Sequence, residues 1–114
     1  MKAVYLTLAV LTGLSAAPAA DAPRTFNGVI TDDMCARGGH AQMRMGPTDA
    51  ECTRACVNIH GAAYVLFDGK NVYGLSDQQS PDRFAGQSVR VTGTLDSKTK
   101  TIRVQNIAAR PSGR

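Results

Sequence analysis

Three cysteines stand between residues 35 and 56, and a chain of 114 residues has no others. An odd number cannot be used up by disulfides within one molecule. With His40 they form a Cys35-x4-His40 pair and, with eleven residues between, a Cys52-x3-Cys56 pair. Most of the strong metal ligands of the chain therefore fall within 22 residues. Any fold must either draw this segment together around an ion or staple it with one bridge and keep the third thiol out of trouble.

The compartment decides how thiols behave, and the N-terminus speaks to it. Met1-Lys2 is followed by an apolar run from Ala3 to Leu14 and by Ser15-Ala16-Ala17-Pro18-Ala19-Ala20. A positive start, a short apolar stretch and small residues at the end are the layout of a secretory signal. Ala17 and Ala19 meet the small-x-small requirement, which sets the expected signal at residues 1–19; a cut after Ala22 would be followed directly by Pro23. The run is too short to cross about 30 Å of hydrocarbon comfortably, so no stable membrane anchor is expected after cleavage. No cysteine lies near the cut, as a lipoprotein would need. The expected location is periplasmic or secreted, an oxidising compartment where an unpaired thiol has to be buried or bound to metal.

Residues 20–114 have the size of one small domain with a modest core. Arg24–Thr31 is rich in β-branched and aromatic residues and reads as a first strand, with Gly28 permitting a bulge or tight bend. Residues 32–47 lose periodicity and read as a loop. Thr48-Asp49-Ala50-Glu51 resembles a capping box that starts a helix running to about His60, closed by Gly61. Helical spacing places Cys52, Cys56 and Ile59 on one inward face, with Glu51, Arg54 and Asn58 in water. Ala62–Phe67 and Asn71–Leu75 flank Asp68-Gly69-Lys70 and predict a hairpin. Ser80-Pro81 predicts a short helical turn with Ser80 as its N-cap. Val89, Val91 and Leu95, then Ile102, Val104 and Ile107, alternate with polar residues around a turn at Asp96-Ser97-Lys98. Arg110–Arg114 should fray. The expected fold is mainly β (α+β): a small five-stranded OB-like barrel with one helix inserted between strands 1 and 2, the insertion covering residues 32–61.

Cys35, His40, Cys52 and Cys56 offer three sulfurs and an imidazole to one point. Zinc accepts such a tetrahedral set, and Cu(I) favours the same soft donors. Met34, Met43 and Met45 lie in the same segment and add candidate thioethers. The competing reading pairs Cys35 with Cys52 or Cys56 in a disulfide, which would stabilise a loop of this size by roughly 3 kcal/mol. Cys52 and Cys56 should not bridge each other within a regular helix. His60 at a helix end is explained by the dipole, since positive charge is favoured there.

Other functions find little support. Arg90, Lys98, Lys100, Arg103, Arg110 and Arg114 make the C-terminal part basic, but the formal charge is only +4, aromatic residues are 5% and Trp is absent. Without interleaved aromatics a solvated face is expected, and no nucleic acid. Asp32-Asp33 reads as a turn or cap at a strand end. A Cys35–His40 nucleophile pair lacks an orienting group, and no catalytic role is expected.

Several segments together resemble a family of small, exported, uncharacterised bacterial proteins with an OB-like fold. They are Gly28-Val29-Ile30-Thr31-Asp32-Asp33-Met34-Cys35, the following His40, Cys52-Thr53-Arg54-Ala55-Cys56-Val57, Gly61-Ala62-Ala63-Tyr64-Val65-Leu66, Val72-Tyr73-Gly74-Leu75 and Ala85–Thr94. The resemblance covers about residues 26–107. It implies the barrel and the Cys-x4-His…Cys-x3-Cys-Val pattern, but no activity. Members often have Gly after the first cysteine, where this chain has Ala36, and Met43 and Met45 are not general in them. The expectation is an exported, non-enzymatic, metal-binding or metal-stabilised domain holding one zinc or copper ion. The alternative is a metal-free module, stapled by a Cys35 disulfide, that binds a protein or glycan.

Overall fold

The computed structural model describes residues 2–4, 7, 9–10, 12–13, 22–37 and 45–111. The expected export signal falls largely outside these residues, as do His40, Met43 and the last three of the tail. The elements are β1 (Arg24–Asp32), α1 (Asp49–His60), β2 (Tyr64–Phe67), β3 (Val72–Leu75), a 3-10 turn (Ser80–Phe84), β4 (Ser88–Asp96) and β5 (Thr101–Ala109). No helix among the described residues is long and apolar enough to cross a membrane.

The five strands join in the order β1-β2-β3-β5-β4, and β1 also pairs with β4, so the sheet closes into a barrel. Closure comes from β1 serving two neighbours. Its first part, Arg24 to Val29, lies antiparallel to β4, and its last part, Val29 to Asp32, lies antiparallel to β2. Gly28 sits next to the changeover. It makes no bulge; a Cβ there would stand 2.5 Å from the carbonyl oxygen of Phe67, so the glycine admits the backbone of β2. The register shift occurs instead at Thr92/Gly93, where Thr92 faces Asn106 and Gly93 faces Val104, leaving Gln105 as the extra residue.

Alternation in β4 and β5 turns one side of each strand inward. Val89, Val91 and Ile102 have no exposed surface and meet Ile30 and Leu66 from β1 and β2. Each such aliphatic side chain stabilises the fold by roughly 1.5–3 kcal/mol. The hairpin closes as its sequence predicts, with Asp68 Oδ1 accepting from the N–H groups of Lys70 and Asn71 and Gly69 at φ 98°.

The 3-10 turn departs from expectation in its cap. Ser80 lies inside the turn, and Asp77 Oδ1 accepts from the N–H groups of Gln79 and Ser80. An aspartate reaches past its own residue to free N–H groups more readily than a serine already in the turn. The turn is tied to its surroundings by Tyr64, whose hydroxyl donates to Asp82 Oδ1 at 2.6 Å, and by Arg54, whose Nη2 donates to the Asp82 carbonyl at 2.9 Å. Arg54 is therefore half-buried rather than fully in water. At the other end of the chain Arg110 is still held, its N–H donating to the Ser88 carbonyl at 2.9 Å.

Candidate metal centre

The insertion between β1 and β2 builds a second, smaller buried cluster of Cys35, Cys52 and Cys56, with Ala62 against it. Two local structures place its sulfurs. The first begins at Asp32, the last residue of β1, which has no exposed surface. Its Oδ2 accepts from the N–H groups of Met34 and Cys35, each at 3.1 Å, folding the chain back so that Cys35 returns inward. Asp33 fixes the same corner to the start of β2: its N–H donates to the Ala63 carbonyl, and its Oδ1 accepts from the Ala63 N–H. The expectation that Asp32-Asp33 turns or caps the strand end is met by both residues.

The second is α1. The Thr48 hydroxyl accepts from the Glu51 N–H at 3.2 Å, the expected N-cap, and also lies 3.3 Å from Glu51 Oε2. Gly61 closes the helix at φ 69°, ψ 22°, a left-handed conformation that glycine adopts without Cβ crowding. The Ala62 N–H then donates to the Cys56 carbonyl at 3.1 Å. Cys52 and Cys56, one turn apart, both face inward with no exposed surface.

Ile59 does not share that face. It is 68% exposed, whereas Thr53 is fully buried. Ala50 and Val57 pack on the barrel core while Cys52 and Cys56 line the second cluster. The buried arc is therefore centred near Thr53, and at 3.6 residues per turn Ile59 falls about 120° away from it.

The sulfurs of Cys35, Cys52 and Cys56 all lie within 4.8 Å of one another, close enough to hold one metal ion. No disulfide joins them. The N–H of Met45 donates to Cys52 Sγ at 3.3 Å, bringing the segment that precedes α1 against the cluster. Burial pushes the Cys35 thiol up to about 12, and the Asp32 carboxylate and the other two cysteines add to the shift. Burial and Asp32 also raise Cys56, partly opposed by its contact with Cys35. Such thiols are protonated at neutral pH, the reverse of what a nucleophilic cysteine needs. A bound cation inverts this balance, because its charge holds the coordinating sulfurs as thiolates.

Of the four ligands expected from sequence, three are thus brought together. His40 lies outside the described residues, as does Met43. His60 is exposed at the end of α1, and Met34 is 45% exposed. Sequence reasoning did not single out Thr53, or the depth at which Asp32 lies. Asp32 Oδ1 and Thr53 Oγ1 are buried with no hydrogen-bond partner among the described residues. The spacing of Asp32 to Cys35 carries a turn signal, but nothing local in it marks burial.

No protein-family model, curated protein or solved structure matches this chain.

Proposed function

We propose that this is an exported, non-enzymatic domain of OB-like fold whose insertion binds one zinc or copper ion. The ion would be held by Cys35, Cys52 and Cys56, with His40 as the fourth ligand that its spacing from Cys35 suggests. The observation that carries this reading is the convergence of three buried sulfurs within 4.8 Å. Three burials of a weakly polar group can be coincidence of packing, but these sulfurs come from two separate elements and meet apart from the main core. Tetrahedral sulfur and nitrogen coordination satisfies zinc, and the same donors suit Cu(I). The OB-like assignment draws support from the strand order, from β1 shared between β2 and β4, and from the short helical turn between β3 and β4. Export rests on the N-terminal sequence pattern.

In such a domain the ion would do structural work first. It would tie the end of β1 to α1, adding to the hold that Ala50 and Val57 already have on the barrel core. Intact mass and elemental analysis of the protein purified from its native compartment test the reading. One metal per chain with three reduced thiols is the expected result, and Cys56→Ser should abolish metal retention. A mass lower by two hydrogens, with no metal, would instead establish the metal-free module stapled by a Cys35 disulfide.

A further inference from the structure

From residue 22 onward, only three large apolar side chains among the described residues are exposed: Met34 at 45%, Met45 at 36% and Ile59 at 68%. The two methionines are both fixed to the thiol cluster through their backbones. Met34 precedes Cys35, and its N–H is held by the same Asp32 oxygen that holds the N–H of Cys35. Met45 donates its N–H directly to Cys52 Sγ. Each backbone is therefore placed within one residue or one hydrogen bond of a ligand sulfur, while each side chain stays in contact with water. A single exposed apolar side chain is ordinary at a protein surface; what sets these two apart is that both are thioethers anchored beside the thiol cluster. The cysteines of the cluster are the opposite case: Cys35 is 3% exposed, and Cys52 and Cys56 have no exposed surface. Met34 and Met45 are thus open to an ion in solution where the three cysteines are not.

Thioether sulfur is a neutral, polarisable donor that needs no proton loss to bind. It selects soft monovalent copper, whereas zinc sites are built from thiolate, imidazole and carboxylate. We infer that the ion is Cu(I), and that Met34 and Met45 are its entry ligands, taking it from a donor and passing it to the sulfurs of Cys35 and Cys52. The inference rests on the cysteine cluster being a metal centre and names which metal it takes and how. In the transfer, each thioether–copper bond breaks as a thiolate–copper bond forms. Every thiol engaged releases its proton to the buffer, and copper stays in the +1 state throughout.

The test uses the reduced mature chain under anaerobic conditions, loaded from the Cu(I) complex of bicinchoninate with Zn(II) in excess. One equivalent of copper should enter despite the zinc. In the Met34→Leu/Met45→Leu double variant, which conserves volume and apolarity, final occupancy should match the wild type while loading slows about tenfold or more. Loading of the double variant at the wild-type rate, or zinc that resists replacement by Cu(I), overturns the inference. Cys56→Ser separates the two levels of the argument. If that variant still retains metal, the cysteine centre itself is wrong. If it loses metal while the methionine variant loads normally, the centre stands and the entry role fails.

Discussion

The N–H of Cys35 and the N–H of Met34 both donate to one oxygen of Asp32, so a carboxylate with no exposed surface positions the first sulfur of the cluster. Burying a carboxylate is costly, and two N–H bonds offset only part of that. The same charge raises the Cys35 and Cys56 thiols. Asp32→Asn keeps an oxygen for both N–H groups and removes the charge. It should shift the Cys35 thiol downward from about 12, read by thiolate absorbance across a pH titration of the metal-free protein. Asp32→Ala removes the acceptor as well, leaving two N–H groups to find other partners. It should lower stability by about 1–3 kcal/mol in urea denaturation and weaken metal retention. Equal behaviour of the two variants would show that charge, not the turn, is what Asp32 contributes.

The strands were legible because their cause is local. Val89, Val91, Ile102 and Ile107 alternate with polar neighbours, and alternation alone decides which side of a strand can be buried. Thr48 and Gly61 were legible for a similar reason, since capping is settled within a few residues. Ile59 and Asp32 were not. Spacing groups residues on a helix but does not say where the buried arc is centred; that was settled by Ala50 and Val57 packing on the barrel. Asp32 looks like a turn residue from its neighbours, and only the closing of β2 and α1 around it makes it part of the site. Convergence of Cys35 on Cys52 and Cys56 was suggested by composition, but its proof needed the corner between β1 and β2.

The exposure of Ile59 and the cap at Thr48 make opposite predictions for the two ends of α1. Ile59→Ser removes apolar surface that is already in water, so stability should change by no more than about 0.5 kcal/mol. Thr48→Ala leaves the Glu51 N–H without its acceptor and should cost about 1 kcal/mol. The first turn of α1 carries Cys52, so fraying there should also loosen metal binding. Urea denaturation together with chelator competition checks both variants. A large loss in Ile59→Ser would mean that the buried arc of α1 is centred elsewhere.

Gly93 sits at the register shift between β4 and β5, where a Cβ would collide with the carbonyl oxygen of Arg103 and stand 2.9 Å from Ile102 Cγ2. Neither a backbone carbonyl nor a fully buried isoleucine can move aside cheaply. Gly93→Ala should therefore destabilise the barrel by about 1–3 kcal/mol or prevent folding. Gly69 is the control. Nothing lies within 4 Å of its added Cβ, and only its φ of 98° resists substitution. Gly69→Ala should yield soluble folded protein with a smaller loss, about 1 kcal/mol. Thermal denaturation of the pair distinguishes crowding inside the barrel from strain at a turn.

Stability should depend on pH with opposite signs in the metal-free and metal-loaded protein. In the metal-free fold the Cys35 thiol titrates near 12 against 9.0 for an unhindered cysteine, and Cys56 is shifted the same way. Tyr64 is likewise pushed from 10.0 to about 12, by burial and by its bond to Asp82. Between these values the unfolded chain has lost protons that the folded chain keeps. Raising the pH therefore favours unfolding, and the stability these groups contribute below pH 9 is lost as the pH climbs toward 12. The urea midpoint of the metal-free protein should be level near neutrality and fall from about pH 9 upward. Cys35→Ser should make that fall shallower without moving its onset, since Cys56 is raised from the same 9.0. Tyr64→Phe should remove the later part of the fall at a cost of about 1 kcal/mol for the lost hydrogen bond. In the loaded protein the sulfurs are already thiolates, and protons compete with the ion for them. Its midpoint should fall on acidification and change little above neutrality. Denaturation series of both forms over the same pH range check the signs; a metal-free midpoint that rises above pH 9 would contradict the burial of these thiols.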